Sequence, residues 1–261
     1  MGTPRPLRVH IDQGEGQPVV LLPGFAMTPE VYAGTARLLA ERARVVVPTL
    51  YGVRGRWRYE EMIERFTATV DGAGIGRVTL LAHSFGGGIA LGFAARFPER
   101  VVDAVFVDTL AVAREWLLAR EALSHPVHLL RMATVPAARA FGHNAAFHPR
   151  QLVDAAWFGF TSARADDIAR VAAAGVRCHV LWASRDSLLD REDGRALAHD
   201  LKASFTVTSG THRPVDHDWM YRHPRLFVAR LDELGLEALS PRSGSPASPG
   251  GPLLAEGLEQ S

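Results

Sequence analysis

The strongest constraint on the fold of this chain is the way short β-branched and aliphatic runs alternate with helical patterns. Residues 19–22, 45–47, 78–82, 101–107, 177–183 and 204–208 each read as a strand. Several of them are apolar at nearly every position. An antiparallel strand with one wet face alternates polar and apolar residues, so continuous runs call for a parallel sheet covered on both faces. Helices supply the cover. One is expected from Pro29 to about Arg42, with Thr28 as its N-cap. Met62, Phe66 and Val70 recur at four-residue spacing, the apolar face of a helix that ends near Gly72. A third helix, 85–97, is stopped by Pro98, and a closing helix is expected over 225–234. Residues 7–12 read as a further strand, joined to 19–22 by Gln-Gly-Glu-Gly-Gln-Pro as a hairpin.

The alternation lapses after residue 109. From 110 to 175 there are helix signals and no good strand, so this segment is expected as a helical cap inserted between strands. Residues 1–109 and 176–239 then form one α/β core. From residue 240 the composition turns to SPRSGSPASPGGP, which predicts a disordered tail over 240–261.

With 47% hydrophobic residues among 261, the chain can bury a large core, and a net charge of +1 predicts neither a nucleic-acid nor a membrane partner. The single cysteine, Cys178, lies in an apolar run and is expected as a core thiol. The N-terminus lacks an apolar leader core and no run reaches the length of a membrane span. The expected location is cytoplasmic. No metal site is expected, because His125, His128, His143 and His148 lack convergent Asp, Glu or Cys. No cofactor is expected either, since the glycines of 72–76 precede a strand, whereas a dinucleotide fingerprint follows one.

The run 78–82 ends at a serine followed by three glycines one residue on: Ala82-His83-Ser84-Phe85-Gly86-Gly87-Gly88. A serine hydroxyl is a weak nucleophile until it is presented to a base. A sharp strand-to-helix turn presents it, and crowds the positions two before and two after, which here are the small Ala82 and Gly86. This pentapeptide resembles the nucleophile elbow, G-x-S-x-G, of the α/β-hydrolase family, with alanine in the first position. The resemblance extends over about residues 7–236.

That resemblance implies the rest of a site. The family's oxyanion donors would be the N–H groups of Phe85 and of Phe25, the latter in Leu21-Leu22-Pro23-Gly24-Phe25. Its acid would be Asp186, after the strand 177–183, with Asp108 at the end of 101–107 as the other position the family uses. For the histidine two anchors compete. Ser209-Gly210-Thr211-His212 resembles the family's upstream pattern, whereas His217 stands seven residues before Pro224-Arg225-Leu226-Phe227, which resembles the downstream one. The downstream anchor is preferred, because loop length between strand and histidine varies at little cost.

The expected protein is therefore a serine hydrolase forming an acyl-enzyme on Ser84, acting on a small or medium hydrophobic ester, lactone or thioester. Trp116, Met132, Trp157, Phe158 and Phe160 are the expected cap residues around the substrate, or core of the cap itself. The alternatives are a C–C hydrolase, cyclase or acyltransferase on the same triad, and a ligand-binding protein without turnover.

Overall fold

The structure, a computed structural model, describes residues 4–109, 135–161, 164–210 and 214–240. Among the described residues seven strands form one sheet: β1 (Val9–Gln13), β2 (Pro18–Leu22), β3 (Arg44–Pro48), β4 (Val78–His83), β5 (Val101–Val107), β6 (Cys178–Ala183) and β7 (Ser204–Thr208). Their order is β1-β3-β2-β4-β5-β6-β7. β2 to β7 run parallel, and β1 alone is antiparallel.

The inner strands are apolar at most positions because each face meets a core. Val20 and Leu22 of β2 belong to one cluster, Val19 and Leu21 to the other. The first cluster is closed by α2 (Tyr59–Gly72) and α3 (Gly86–Arg96), together with α6 (Ala165–Ala174) and α7 (Arg191–Leu201). The second is closed by α1 (Ala33–Leu39), α8 (Trp219–Arg222) and α9 (Pro224–Glu233). Met62, Phe66 and Val70 are buried on α2 as their spacing requires. Each such side chain contributes about 1.5–3 kcal/mol when fully buried.

Two local expectations need correction. Residues 7–12 and 19–22 do not form a hairpin. β2 has both its edges taken by β3 and β4, so β1 joins the free edge of β3 instead. The helix expected from Pro29 begins as a 3-10 turn, Pro29–Tyr32, and becomes α1 only at Ala33; Thr28 stands at the N-cap without a side-chain cap bond. Asp190, by contrast, caps α7 by accepting from Glu192 N.

Between β5 and β6 lie the helices α4 (Val135–Phe147), α5 (Pro149–Thr161) and α6. The helical insertion expected between strands is thus present, though α6, inside the expected 110–175 segment, packs in the core layer beside α3 and α7. Residues 110–134, and with them Trp116, His125, His128 and Met132, lie outside the described residues, as do His212 and the tail beyond Ser240. Among the described residues, no helix is long and apolar enough to cross a membrane.

Candidate active site

In a parallel sheet, ligand sites form at the carboxyl ends of strands where the chain reverses its direction of winding. Here that point lies between β2 and β4, since the chain leaves β2 for β3 on one side and returns to β4 on the other. The turn after β2 carries Phe25 and the turn after β4 carries Ser84. Three of the four non-glycine residues with positive φ in the described chain sit at this edge: Ala26 (59°), Ser84 (50°) and Asp108 (43°). Left-handed backbone costs a side-chain-bearing residue energy, so its clustering at one rim points to function.

Ser84 turns directly into α3, and its amide donates to Val107 O at 2.9 Å. The small residue expected at position 86 is required by backbone contact. A Cβ there would lie 2.5 Å from Leu22 O and 2.7 Å from Pro23 O. The hydroxyl-bearing turn and the turn after β2 are therefore pressed together. Phe25 and Phe85 meet edge to face across the gap, ring centroids 5.7 Å apart. The amides on either side of Phe25 are occupied: Gly24 N donates to Tyr32 OH and Ala26 N to Tyr51 OH. Among the described residues the Phe25 and Phe85 amides have no acceptor.

Of the two histidine candidates, His217 is the one described. Its Nδ1 lies 2.8 Å from Asp186 Oδ2. The other Asp186 oxygen accepts from Leu188 N and Leu189 N, at 2.8 and 2.9 Å, which fixes the carboxylate by three bonds. The loops carrying the pair are laced to each other. Arg185 N donates to Val215 O, Val215 N to Ser184 Oγ, and Ser187 N to Asp216 Oδ1. This lacing is the physical content of the downstream anchor, because it positions His217 from the α8 side whatever the length of 210–213.

Burial works against a charge on His217. The Asp186 charge and hydrogen bond, with Asp108 and Asp216 behind, outweigh it and push the pKa up to about 9. Asp108 is also close. One polar atom each of His83, Asp108 and His217 can be chosen such that all three lie within 4.8 Å of one another. Asp108 accepts from Ala183 N and Trp219 Nε1, each at 2.6 Å. Burial first, and the Asp186 charge second, hold its carboxyl well above the usual carboxylate range.

Ser84 and His217 line one cavity of about 430 Å³, with Gly24, Phe25, Met27, His83, Ala137, Ala138, Phe141, Leu188 and Tyr221. Its described lining is almost entirely apolar and includes no lysine or arginine. Of the expected cap residues whose side chains are described, Trp157 and Phe158, neither lines this cavity. α4 supplies Ala137, Ala138 and Phe141, whereas Phe158 of α5 packs against Trp57 and Tyr59 beneath the cap, and Trp157 is 66% exposed. The Phe160 side chain lies outside the described residues. His83 and Tyr32 were not singled out by the sequence. The first occupies a variable position of the elbow, and the second is a lone aromatic at the end of the 3-10 turn before α1, with no local motif around it.

Comparison with known proteins agrees with this architecture. A sequence model of the α/β hydrolase fold matches residues 17–131. Over 111 residues the chain is 31% identical to a 2-hydroxymuconate semialdehyde hydrolase of Pseudomonas putida, covering 39% of this chain and 40% of that protein. The chain thus spans well under half the length of this curated relative. Among solved structures, an esterase from Thermogutta terrifontis superposes with a TM-score of 0.68 at 20% identity, over 90% of this chain and 94% of that one. A bromoperoxidase from Bacillus anthracis gives 0.71 at 15% identity, over 86% and 94%. By sheet order, by the turn at Ser84 and by these matches, the chain has the α/β-hydrolase fold.

Proposed function

We propose that the protein is a serine hydrolase that cleaves a small or medium hydrophobic ester, lactone or thioester through an acyl-enzyme on Ser84. The observation that carries this reading is the shared cavity: a serine in strained left-handed backbone faces the same apolar space as a histidine whose Nδ1 is bound to a buried carboxylate. In this account His217 Nε2 takes the Ser84 proton as Oγ attacks the acyl carbonyl. Asp186 keeps the imidazole proton on Nδ1 and steadies the imidazolium that forms. The tetrahedral oxyanion is met by the Phe25 and Phe85 N–H groups, the second at the positive end of α3. His217 then returns the proton to the leaving group, and a water activated by the same nitrogen releases the acid.

The apolar lining supports an uncharged acyl group of modest length, since a charged one would be desolvated there without a partner among the described residues. A second reading, in which the same three residues hydrolyse a substrate of the kind named for the Pseudomonas putida relative, a 2-hydroxymuconate semialdehyde, rests on that likeness. A panel of p-nitrophenyl esters from acetate to octanoate, with thioesters and lactones, tests the proposal. Turnover of the short esters that disappears in Ser84→Ala and in His217→Ala supports it. Turnover that survives Ser84→Ala, or a folded protein inert to the whole panel, refutes it.

A further inference from the structure

We propose that Tyr32 and His83 are positioning residues that join the oxyanion turn, the nucleophile elbow and the His217 loop through one directional hydrogen-bond chain. The inference rests on the serine-hydrolase reading, which assigns those three segments their roles.

The direction of the chain follows from its fixed ends. His83 Nε2 lies 3.0 Å from the His217 carbonyl oxygen. A carbonyl can only accept, so the His83 proton is on Nε2 and Nδ1 is a bare acceptor. The Tyr32 hydroxyl, 2.8 Å from Nδ1, must then donate to it. That leaves the Tyr32 oxygen free to accept from Gly24 N–H, at 2.9 Å. Every donor in the sequence has one acceptor, and no other assignment satisfies both the peptide N–H at one end and the peptide C=O at the other.

The chain is closed off from water, with Tyr32 and His83 at 0% and 2% exposure. Burial, reinforced by the neighbouring His217, depresses the His83 pKa to about 3, and burial raises that of Tyr32 well above its usual value. Both stay neutral, as the chain requires. A protonated His83 would donate from both nitrogens, forcing the Tyr32 oxygen to accept twice and stranding its proton. Tyr221 covers the pair edge-on, its ring centroid 5.4 Å from Tyr32 and 5.9 Å from His83.

Each link acts one residue from the reacting groups. Gly24 precedes Phe25, whose amide is the proposed oxyanion donor. His83 precedes Ser84, and the far end is the carbonyl of His217 itself. The contact is close enough to restrict position 24, where a Cβ would lie 2.9 Å from His83 Nδ1 and 3.4 Å from the Tyr32 oxygen. Preorganised donors contribute most when nothing must move as charge develops, and a chain that ties donor, nucleophile and base together supplies that rigidity.

Two measurements test the chain. Long-range ¹H–¹⁵N spectra of the full-length protein with ¹⁵N-labelled histidine are expected to show His83 as the neutral Nε2–H tautomer from pH 5.5 to 8. An Nδ1–H tautomer, or a charged ring, overturns the proposal, and this reading needs no turnover and no variant. Tyr32→Phe removes one oxygen and is expected to lower kcat for p-nitrophenyl butyrate about ten- to a hundredfold with KM changed less than about twofold. A folded Tyr32→Phe protein with unchanged kcat, or with a change in KM alone, also overturns it. Ser84→Ala run in parallel separates the two ideas: hydrolysis that persists there sinks the serine reading, whereas the tautomer is decided independently.

Discussion

The His217 imidazole donates from Nδ1 to Asp186 Oδ2 across 2.8 Å, and the opposite oxygen of that carboxylate is held by the amides of Leu188 and Leu189. The acid is thus fixed by its own loop before it meets the base, and it raises the proton affinity of the group it orients.

This relationship sets a pH dependence. Neutral His217 is the form that accepts a proton, and its pKa is raised from 6.5 to about 9. The value of kcat/KM for a p-nitrophenyl ester should therefore climb with pH, with a midpoint above 6.5. In Asp186→Asn the midpoint should fall, and the plateau should drop by about 10²–10⁴-fold. Rate profiles of the two proteins from pH 5 to 10 check this; coincident midpoints would detach Asp186 from His217.

The two buried histidines should also shape stability, in opposite senses. His217 has a folded pKa above its unfolded value, so its contribution is complete below pH 6.5 and is lost as pH rises toward 9. His83 has a folded pKa near 3, so between pH 6.5 and 3 the unfolded chain takes up a proton that the folded one refuses. Stability should peak near pH 6–7 and fall on both sides. Urea denaturation across pH 4–9 measures it, and His83→Gln should flatten the acid limb.

Strain at the elbow predicts a trade between stability and activity. Ser84 holds a φ of 50° that glycine adopts freely. Ser84→Gly should raise the free energy of unfolding by about 1 kcal/mol while eliminating turnover. Thermal and urea denaturation, set beside the ester assay, would detect both. A variant less stable than wild type would mean the left-handed turn carries no cost.

Gly86 makes the converse case. A methyl group there would press on Leu22 O and Pro23 O, which are backbone atoms and cannot swing aside. Gly86→Ala should cost about 1–3 kcal/mol and separate the two turns. Fluorescence-monitored unfolding and the ester assay should both register it; a silent substitution would show that the turns are not in register through this glycine.

Much of this was legible in the sequence, for identifiable reasons. The interior strands are legible because a strand buried on both faces has few polar positions, as in the run Leu80, Leu81 and Ala82. Gly86 and Ala82 were legible because the elbow constrains size locally. The hairpin expectation fails because the pairing of β1 depends on β3, a distant segment whose free edge no local pattern announces. His83 and Tyr32 gave no signal because their partners are 51 residues apart and converge only in the folded chain. Among the described residues the cap side of the cavity is formed by alanines and one phenylalanine of α4, while Phe158 packs the cap onto Trp57 and Tyr59.

The central claim is that one hydroxyl, that of Ser84, attacks the acyl carbonyl with His217 as its base. Treatment with a fluorophosphonate, followed by intact mass and peptide mapping, addresses it without knowledge of the natural substrate. The account predicts one adduct per chain, located at Ser84, absent in Ser84→Ala and formed far more slowly in His217→Ala. A folded protein that takes up no label, or one labelled at another residue while Ser84 stays unmodified, would contradict it.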